Sequence, residues 1–196
     1  MLSLHIITVS VIMCRLKEVS MQPIKRLQTV LKKFSSPEAY LFTSADLRAA
    51  FSDLSDNAYK ALLFRAVKGG LLTRVCRDVF LSNEAKYTRG KLLYHVVNKV
   101  RPTELNYISL ESQLSDSGLI SQVPLNWLTI MSSGRSRIIK AGDFGTIEFV
   151  HTKRSHAHII DQLHYDANVG LWRANNELAL RDLRRVGRNV ELVSME

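Results

Sequence analysis

Ser52-Asp53-Leu54-Ser55-Asp56-Asn57-Ala58-Tyr59-Lys60-Ala61-Leu62-Leu63-Phe64-Arg65-Ala66-Val67-Lys68-Gly69-Gly70-Leu71-Leu72-Thr73-Arg74-Val75-Cys76-Arg77-Asp78-Val79-Phe80-Leu81 is the stretch on which the fold turns. Its first four residues form a polar turn, and Ser55 is a good N-cap for a helix over 56–68 that Gly69-Gly70 stops. Helical spacing puts Ala58, Tyr59, Leu62, Leu63 and Ala66 on an inner side, with Asn57, Lys60, Ala61, Phe64 and Lys68 opposite. Beyond the glycines, Leu71 to Val75 alternates, and Val79-Phe80-Leu81 returns as a second strand. A short hairpin results, with Arg74 and Arg77 at or near its tip.

Working outward, Pro23 suits a first helical turn, and Ile24, Leu27, Val30, Leu31 and Phe34 recur at helical spacing. Tyr40-Leu41-Phe42 reads as a short strand. Ser44 is then expected to N-cap a two-turn helix whose inner face is Leu47, Ala50 and Phe51, with Asp46 near the positive end of its dipole. Three short helices followed by a hairpin predict a winged helix-turn-helix over residues 21–85. Amide side chains can read adenine in the major groove and ammonium groups contact phosphate, so Ser44, Ser55, Asn57, Lys60, Lys68, Arg74 and Arg77 are the expected DNA-binding residues. The same elements could serve an ordinary protein-interaction module, and Phe64 on the outer face suits that reading.

The whole-chain figures agree with a polyanion partner. Lys and Arg number 27 against 18 Asp and Glu, giving a formal charge of +9 and a pI near 9.8. That favours nucleic acid or an acidic membrane surface. The excess lies in residues 21–85 (10 − 6 = +4) and 86–155 (10 − 5 = +5), not in 156–196 (5 − 6 = −1). With 46% apolar and 23% charged residues, the chain supports real cores rather than wholesale disorder. Cys14 and Cys76 lack CxxC spacing, which excludes a disulfide scaffold and a thiolate zinc site and fits a reducing cytoplasm. The apolar run Leu2–Met13 has no basic residues before it and no small-x-small cleavage site after it, and it is too short to span a bilayer. Residues 1–20 are therefore expected to be a peripheral extension upstream of Met21, in a cytoplasmic protein with no membrane partner.

A polar connector over 83–90 is expected to lead into a mixed α/β domain, residues 86–196, so that the fold class is α+β. Helices are predicted over 90–100, with Leu92, Leu93, Val96, Val97 and Val100 in register, and over 175–185, with Leu178, Ala179, Asp182 and Leu183 in register. Between them, 107–120 reads as a brief strand, a short helix capped by Ser109 and a glycine C-cap. Residues 127–131 and 145–151 read as strands, with Leu110, Leu114, Ile147 and Phe149 in the core. Ser132 to Arg137 reads as a basic turn in which Arg135 and Arg137 are exposed functional candidates. Ser133-Gly134-Arg135-Ser136 could also cradle a phosphate, although basic Gly-Ser turns are common on hairpins.

The sequence has no GxxxxGK[ST], GxSxG or Rossmann fingerprint, and no paired carboxylates beside an activating His. Neither a cofactor nor catalytic residues are expected. An enzyme of nucleic acids would have to act through His151 and Glu148. His151, His156, His158 and His164 lack HExxH spacing and any Cys partner, so they are read as a polar loop and no metal is expected.

Three stretches of the chain resemble the AbiEi-type antitoxins of type IV toxin–antitoxin (abortive infection) systems. They are 67–75 with 78–81; the segment Tyr107-Ile108-Ser109-Leu110-Glu111-Ser112-Gln113-Leu114-Ser115-Asp116-Ser117-Gly118-Leu119-Ile120; and Thr129 to Arg137 continued by 145–151. Glu177-Leu178-Ala179-Leu180-Arg181-Asp182-Leu183 looks like the helix closing that family's second domain. Residues 1–20 and 156–170 have no counterpart in the pattern, and Arg77-Asp78 stands where an Arg-Gly turn is common. The resemblance implies a winged helix that binds inverted repeats in the promoter of its own operon and represses it. It also implies a second domain, 86–196, that opposes a nucleotidyltransferase-like toxin without a stable complex. The competing expectation is a plain winged-helix regulator whose C-terminal domain senses a ligand or dimerises.

Overall fold

A computed structural model of the chain describes residues 21–120 and 126–188, and the expected extension over 1–20 lies outside the described residues. The protein is α+β, and it divides into two compact units, one running to Thr88 and the other starting at Arg89.

The first unit runs α1 (Pro23–Phe34), β1 (Leu41–Thr43), α2 (Ser44–Arg48), α3 (Asp56–Lys68), β2 (Leu72–Cys76) and β3 (Val79–Ser82). Its three strands form one antiparallel sheet in the order β1-β3-β2. Proline at the start of α1 has no N–H of its own to leave unpaired, and the helix buries Leu27, Val30 and Leu31. Those side chains join Leu47, Phe51, Leu62 and Phe80 in a single core. At the far end of α3, Gly70 takes φ +74, Leu71 N–H donates to Ala66 O and Gly70 N–H donates to Val67 O. This glycine closure turns the chain directly into β2.

Two expectations for this unit need correcting. The N-cap of α2 is Thr43, not Ser44: the Thr43 hydroxyl accepts from Asp46 N–H at 3.0 Å, and Asp46 Oδ2 accepts from Thr43 N–H at 2.8 Å. Reciprocal capping requires an acidic or amide side chain three residues after the cap, and Asp46 stands three after Thr43 but only two after Ser44. Thr43→Ala is expected to cost about 1 kcal/mol and Ser44→Ala only a few tenths. Faster hydrogen exchange at the Asp46 amide in the first variant alone would verify this, and equal effects would refute the assignment. Ala58, placed on the inner side by periodicity, is exposed. It lies in the first turn of α3, beyond the reach of the core that Tyr59 and Leu62 enter.

The second unit contains α4 (Leu92–Val100), β4 (Asn106–Ile108), α5 (Leu110–Asp116), β5 (Trp127–Ser132), β6 (Arg137–Lys140), β7 (Thr146–His151), β8 (Leu163–Asp166), β9 (Leu171–Ala174) and α6 (Asn176–Arg185). These strands form a mixed sheet in the order β6-β7-β5-β4-β9-β8, parallel at β5/β7 and β4/β9 and antiparallel elsewhere. Strand alternation separates two cores. Tyr107 and Met131 point to the face covered by α5 and α6, where Leu110, Leu114, Leu178 and Leu183 pack. Ile108, Ile130, Ile147 and Phe149 alternate to the opposite face and are equally buried. There the Arg101 guanidinium, just past α4, lies 4.0 Å from the Phe149 ring centroid. Gly145 opens β7 at φ +126, and a Cβ there would meet Asn126 O at 2.2 Å.

Three strands of this sheet are absent from the sequence expectation. Arg137–Lys140, read as the end of a basic turn, is β6, an edge strand with only Ile139 buried. The segment after His151 is not simply a polar loop: short 3₁₀ turns at His156–His158 and Ile160–Gln162 lead into β8, with Ile159 and Leu163 in the core. A turn over 167–170 then returns the chain as β9. Among the described residues no helix is long and apolar enough to cross a membrane.

Candidate nucleic-acid interface

Helix α3 is fixed from below by its polar as well as its apolar contacts. Ser55 Oγ accepts from Ala58 N–H at 3.3 Å, which caps the helix. Tyr59 Oη donates to Ser44 O at 2.6 Å, setting the separation of α2 and α3, and burial pushes this phenol above its ordinary value. Arg48 stacks over the Tyr59 ring at 5.0 Å and also reaches Asp56. The turn between the helices is held by Arg26, which makes two bonds to Asp53, at 2.8 and 3.0 Å, while lying over the Phe51 ring. Buried Tyr59, Leu62, Leu63 and Ala66 then leave the opposite side of the helix facing out.

That outer side is a continuous stripe. Asn57, Lys60, Ala61, Phe64 and Lys68 are all exposed, and their spacing of three and four residues aligns them along the axis. No acidic residue stands among them. Asp56, at the N-terminal end, pairs with Arg48. The stripe therefore carries an amide, two ammonium groups and an apolar centre.

The hairpin places its cations at one end. Cys76 pairs with Val79, so Arg77 and Asp78 form a two-residue turn, with Asp78 at φ 61. Aspartate is one of the few residues that tolerate this left-handed backbone, which is why it can stand where glycine would otherwise serve. Arg77 is 81% exposed, and its Nε lies 3.4 Å from Asp78 Oδ2, a surface pair of little energetic weight. Arg74 is exposed on β2 and donates to Cys76 O at 3.4 Å. Ser44 N–H donates to Asp78 O at 2.9 Å, which ties the hairpin turn to the start of α2. Ser44 itself is half-buried, and its backbone rather than its hydroxyl makes these contacts.

In the second unit, Arg135 and Arg137 are both exposed, as expected. Sequence reasoning missed what holds them. Arg101 donates to Ser132 Oγ at 2.8 Å and to Arg135 O, and Ser132 Oγ also accepts from Gly134 N–H. Ser133 Oγ accepts from Leu105 N–H and Ser136 Oγ from His151 N–H. The His151 ring bonds Gly134 O at 2.9 Å. The Ser133 and Ser136 hydroxyl oxygens thus serve as acceptors that hold the turn. Burial lowers Arg101 from its ordinary value, and Arg137 adds to that effect. The only hint in the sequence was an arginine at a helix end, before Pro102.

Glu148 and His151 do not converge. Glu148 accepts from Trp127 Nε1 at 3.2 Å and pairs with Arg188, whereas His151 bonds the 132–137 turn. His156 meets the Trp172 ring edge-on and His158 Nδ1 lies 2.6 Å from Ser155 Oγ. The strongest buried polar group lies elsewhere. Asp182 is fully buried on α6, where it accepts from Tyr107 Oη at 3.0 Å and Ser109 Oγ at 2.9 Å and pairs with Arg154. Ser109 therefore gives its hydroxyl to Asp182 and not to capping α5.

No protein-family model matches the chain, and no curated protein matches it.

Proposed function

We propose that the first unit is a winged helix-turn-helix that binds double-stranded DNA, with α3 as recognition helix and the β2–β3 hairpin as wing. The observation that carries this is the outer stripe of α3, which presents Asn57 and two lysines on a helix anchored through its buried face. The helix–strand–helix–helix–strand–strand order, the β1-β3-β2 sheet and the arginine at the hairpin tip support it. In this reading Ser55 and Ser44 stand at the helix starts, Asn57 and Lys60 face base edges, and Lys68, Arg74 and Arg77 meet phosphate.

The resemblance to AbiEi-type antitoxins extends the proposal. The chain represses its own operon through promoter repeats, and the second unit, with Arg135 exposed on a pinned turn and Arg137 exposed at the start of β6, opposes a nucleotidyltransferase-like toxin. The test is a gel-shift titration of the full chain against its own upstream region and unrelated DNA at two salt concentrations. Selective retardation is expected, and equal, steeply salt-sensitive binding to both DNAs would overturn the reading. Co-expression with the neighbouring toxin then tests the second unit. Failure to relieve toxicity, with operator binding intact, would favour a plain regulator.

Arg77→Ala is expected to weaken binding to cognate and unrelated DNA alike, and to reduce the slope of log affinity against log salt by about one. A loss confined to the cognate site would mean that the wing reads sequence instead.

A further inference from the structure

We propose that Phe64 reads the 5-methyl group of a thymine in the major groove, about three base pairs from the position faced by Asn57. The inference rests on the reading of α3 as recognition helix. Phe64 is 70% exposed, more than any other large apolar side chain among the described residues. It sits at the centre of the stripe, with Ala61 before it and with Lys60 and Lys68 four residues to either side. An aromatic ring left in water forgoes most of the free energy that its burial would supply, and nothing in α3 covers it.

The lysines decide what does. A second copy of the same stripe would bring like charges against Lys60 and Lys68. A membrane-inserting face would need a wider apolar band than Ala61 and Phe64 provide. The major groove of DNA offers phosphates along both rims and one apolar group on its floor, the thymine methyl, which Ala and Phe side chains recognise. The RNA major groove is too deep and narrow to admit the ring. The spacing follows from helix geometry. Asn57 and Phe64 are seven residues apart in α3, roughly 10 Å along the axis, or about three steps of 3.4 Å along a strand.

The experiment enriches duplexes from a randomised DNA library with the full chain. Each thymine of the enriched site is then replaced in turn by deoxyuridine, which removes only the methyl group. One position is expected to lose about four-fold in affinity, the equivalent of about 0.8 kcal/mol for one buried methyl-sized group. That position should lie about three pairs from an adenine whose preference disappears in Asn57→Ala. Phe64→Ala should bind the thymine and uracil duplexes alike. Its fold is expected to be intact, because the site is exposed and alanine is the better helix former, and circular dichroism confirms that independently. If the enriched site shows no uracil penalty, or the penalty persists in Phe64→Ala, the inference is overturned while DNA reading stands, and Phe64 belongs to a protein contact. If no duplex is enriched, the recognition-helix reading fails and this inference fails with it.

Discussion

Asp182→Ala is expected to destabilise the second unit by about 3–5 kcal/mol, the cost of removing one partner from a buried ion pair. The carboxylate is fully buried and is the acceptor for Tyr107, Ser109 and Arg154 together. Its removal leaves two buried hydroxyls without an acceptor and a largely buried guanidinium without its counter-charge. Asp182→Asn keeps an acceptor oxygen for the hydroxyls but turns an amide donor on Arg154, and a smaller loss is expected. Both tryptophans of the chain, Trp127 and Trp172, lie in this unit, so their fluorescence during urea unfolding reports on it selectively. A wild-type midpoint in Asp182→Ala would show that the network contributes nothing. The DNA binding proposed for the first unit should be unchanged in both variants.

The pH dependence of this site has a definite sign. Burial raises the Asp182 carboxyl above its ordinary value of 3.8, against the opposing effects of Ser109, Arg154 and Tyr107. In the window just above 3.8 the folded state binds more protons here than the unfolded state. The contribution of Asp182 is therefore fully present below 3.8 and diminishes as pH rises through the folded value. Measured against Asp182→Asn, wild-type stability should fall across that window. Tyr107 shifts upward as well, chiefly through burial and then through Asp182, and so remains a donor throughout.

How much of this was legible in the sequence differs between the units, for physical reasons. In the first unit local signals agree with one another: Pro23, Ser55, Gly69-Gly70 and the alternation before Arg77-Asp78 with the apolar run after it each specify a boundary. Even the displaced cap was encoded, since Thr43 and Asp46 have the spacing of reciprocal capping. In the second unit the sheet is mixed, and β8 and β9 depend on non-local pairing, β9 with β4 more than sixty residues earlier. Short strands such as Leu-His-Tyr-Asp and Leu-Trp-Arg-Ala carry little alternation of their own. Edge strand β6 has one buried side chain, and its Arg-Ile-Ile-Lys reads equally as a turn.

Candidate functional residues follow the same division. The outer stripe of α3 is a direct consequence of helical periodicity, and all five of its members emerge where periodicity puts them. The Asp182 network was half legible: an aspartate in register with Leu178, Ala179 and Leu183 signals a buried charge, but its partners Tyr107 and Arg154 come from distant strands and loops. Leu110 enters α5 at φ 56, a conformation that costs a non-glycine residue about 1–2 kcal/mol, and nothing in a leucine announces it. The side chain is completely buried and packs in the same core as Leu114.

Asn57→Ala and Lys60→Ala are each expected to weaken selective DNA binding by about 1–3 kcal/mol, roughly 5- to 150-fold, if base edges are their targets. Both side chains are exposed, and neither contributes to the core contacts of Tyr59 or Leu62, so folding should be unaffected. The two effects should differ in kind. Asn57 lies in the first turn of α3, where recognition helices commonly contact base edges, and its amide can both donate to and accept from an adenine edge. Its loss should relax preference at one position and leave the salt dependence unchanged. Lys60 has donors only, so it can serve a guanine edge or a phosphate. A guanine contact would show as altered preference at one base pair. A phosphate contact would show as uniform weakening with the salt slope reduced by about one. Unchanged affinity and unchanged selectivity in both variants, with intact circular dichroism, would remove α3 from the interface. The cationic surface would then rest on Arg74 and Arg77, which bind without reading, and the case for an operator-specific repressor would fall.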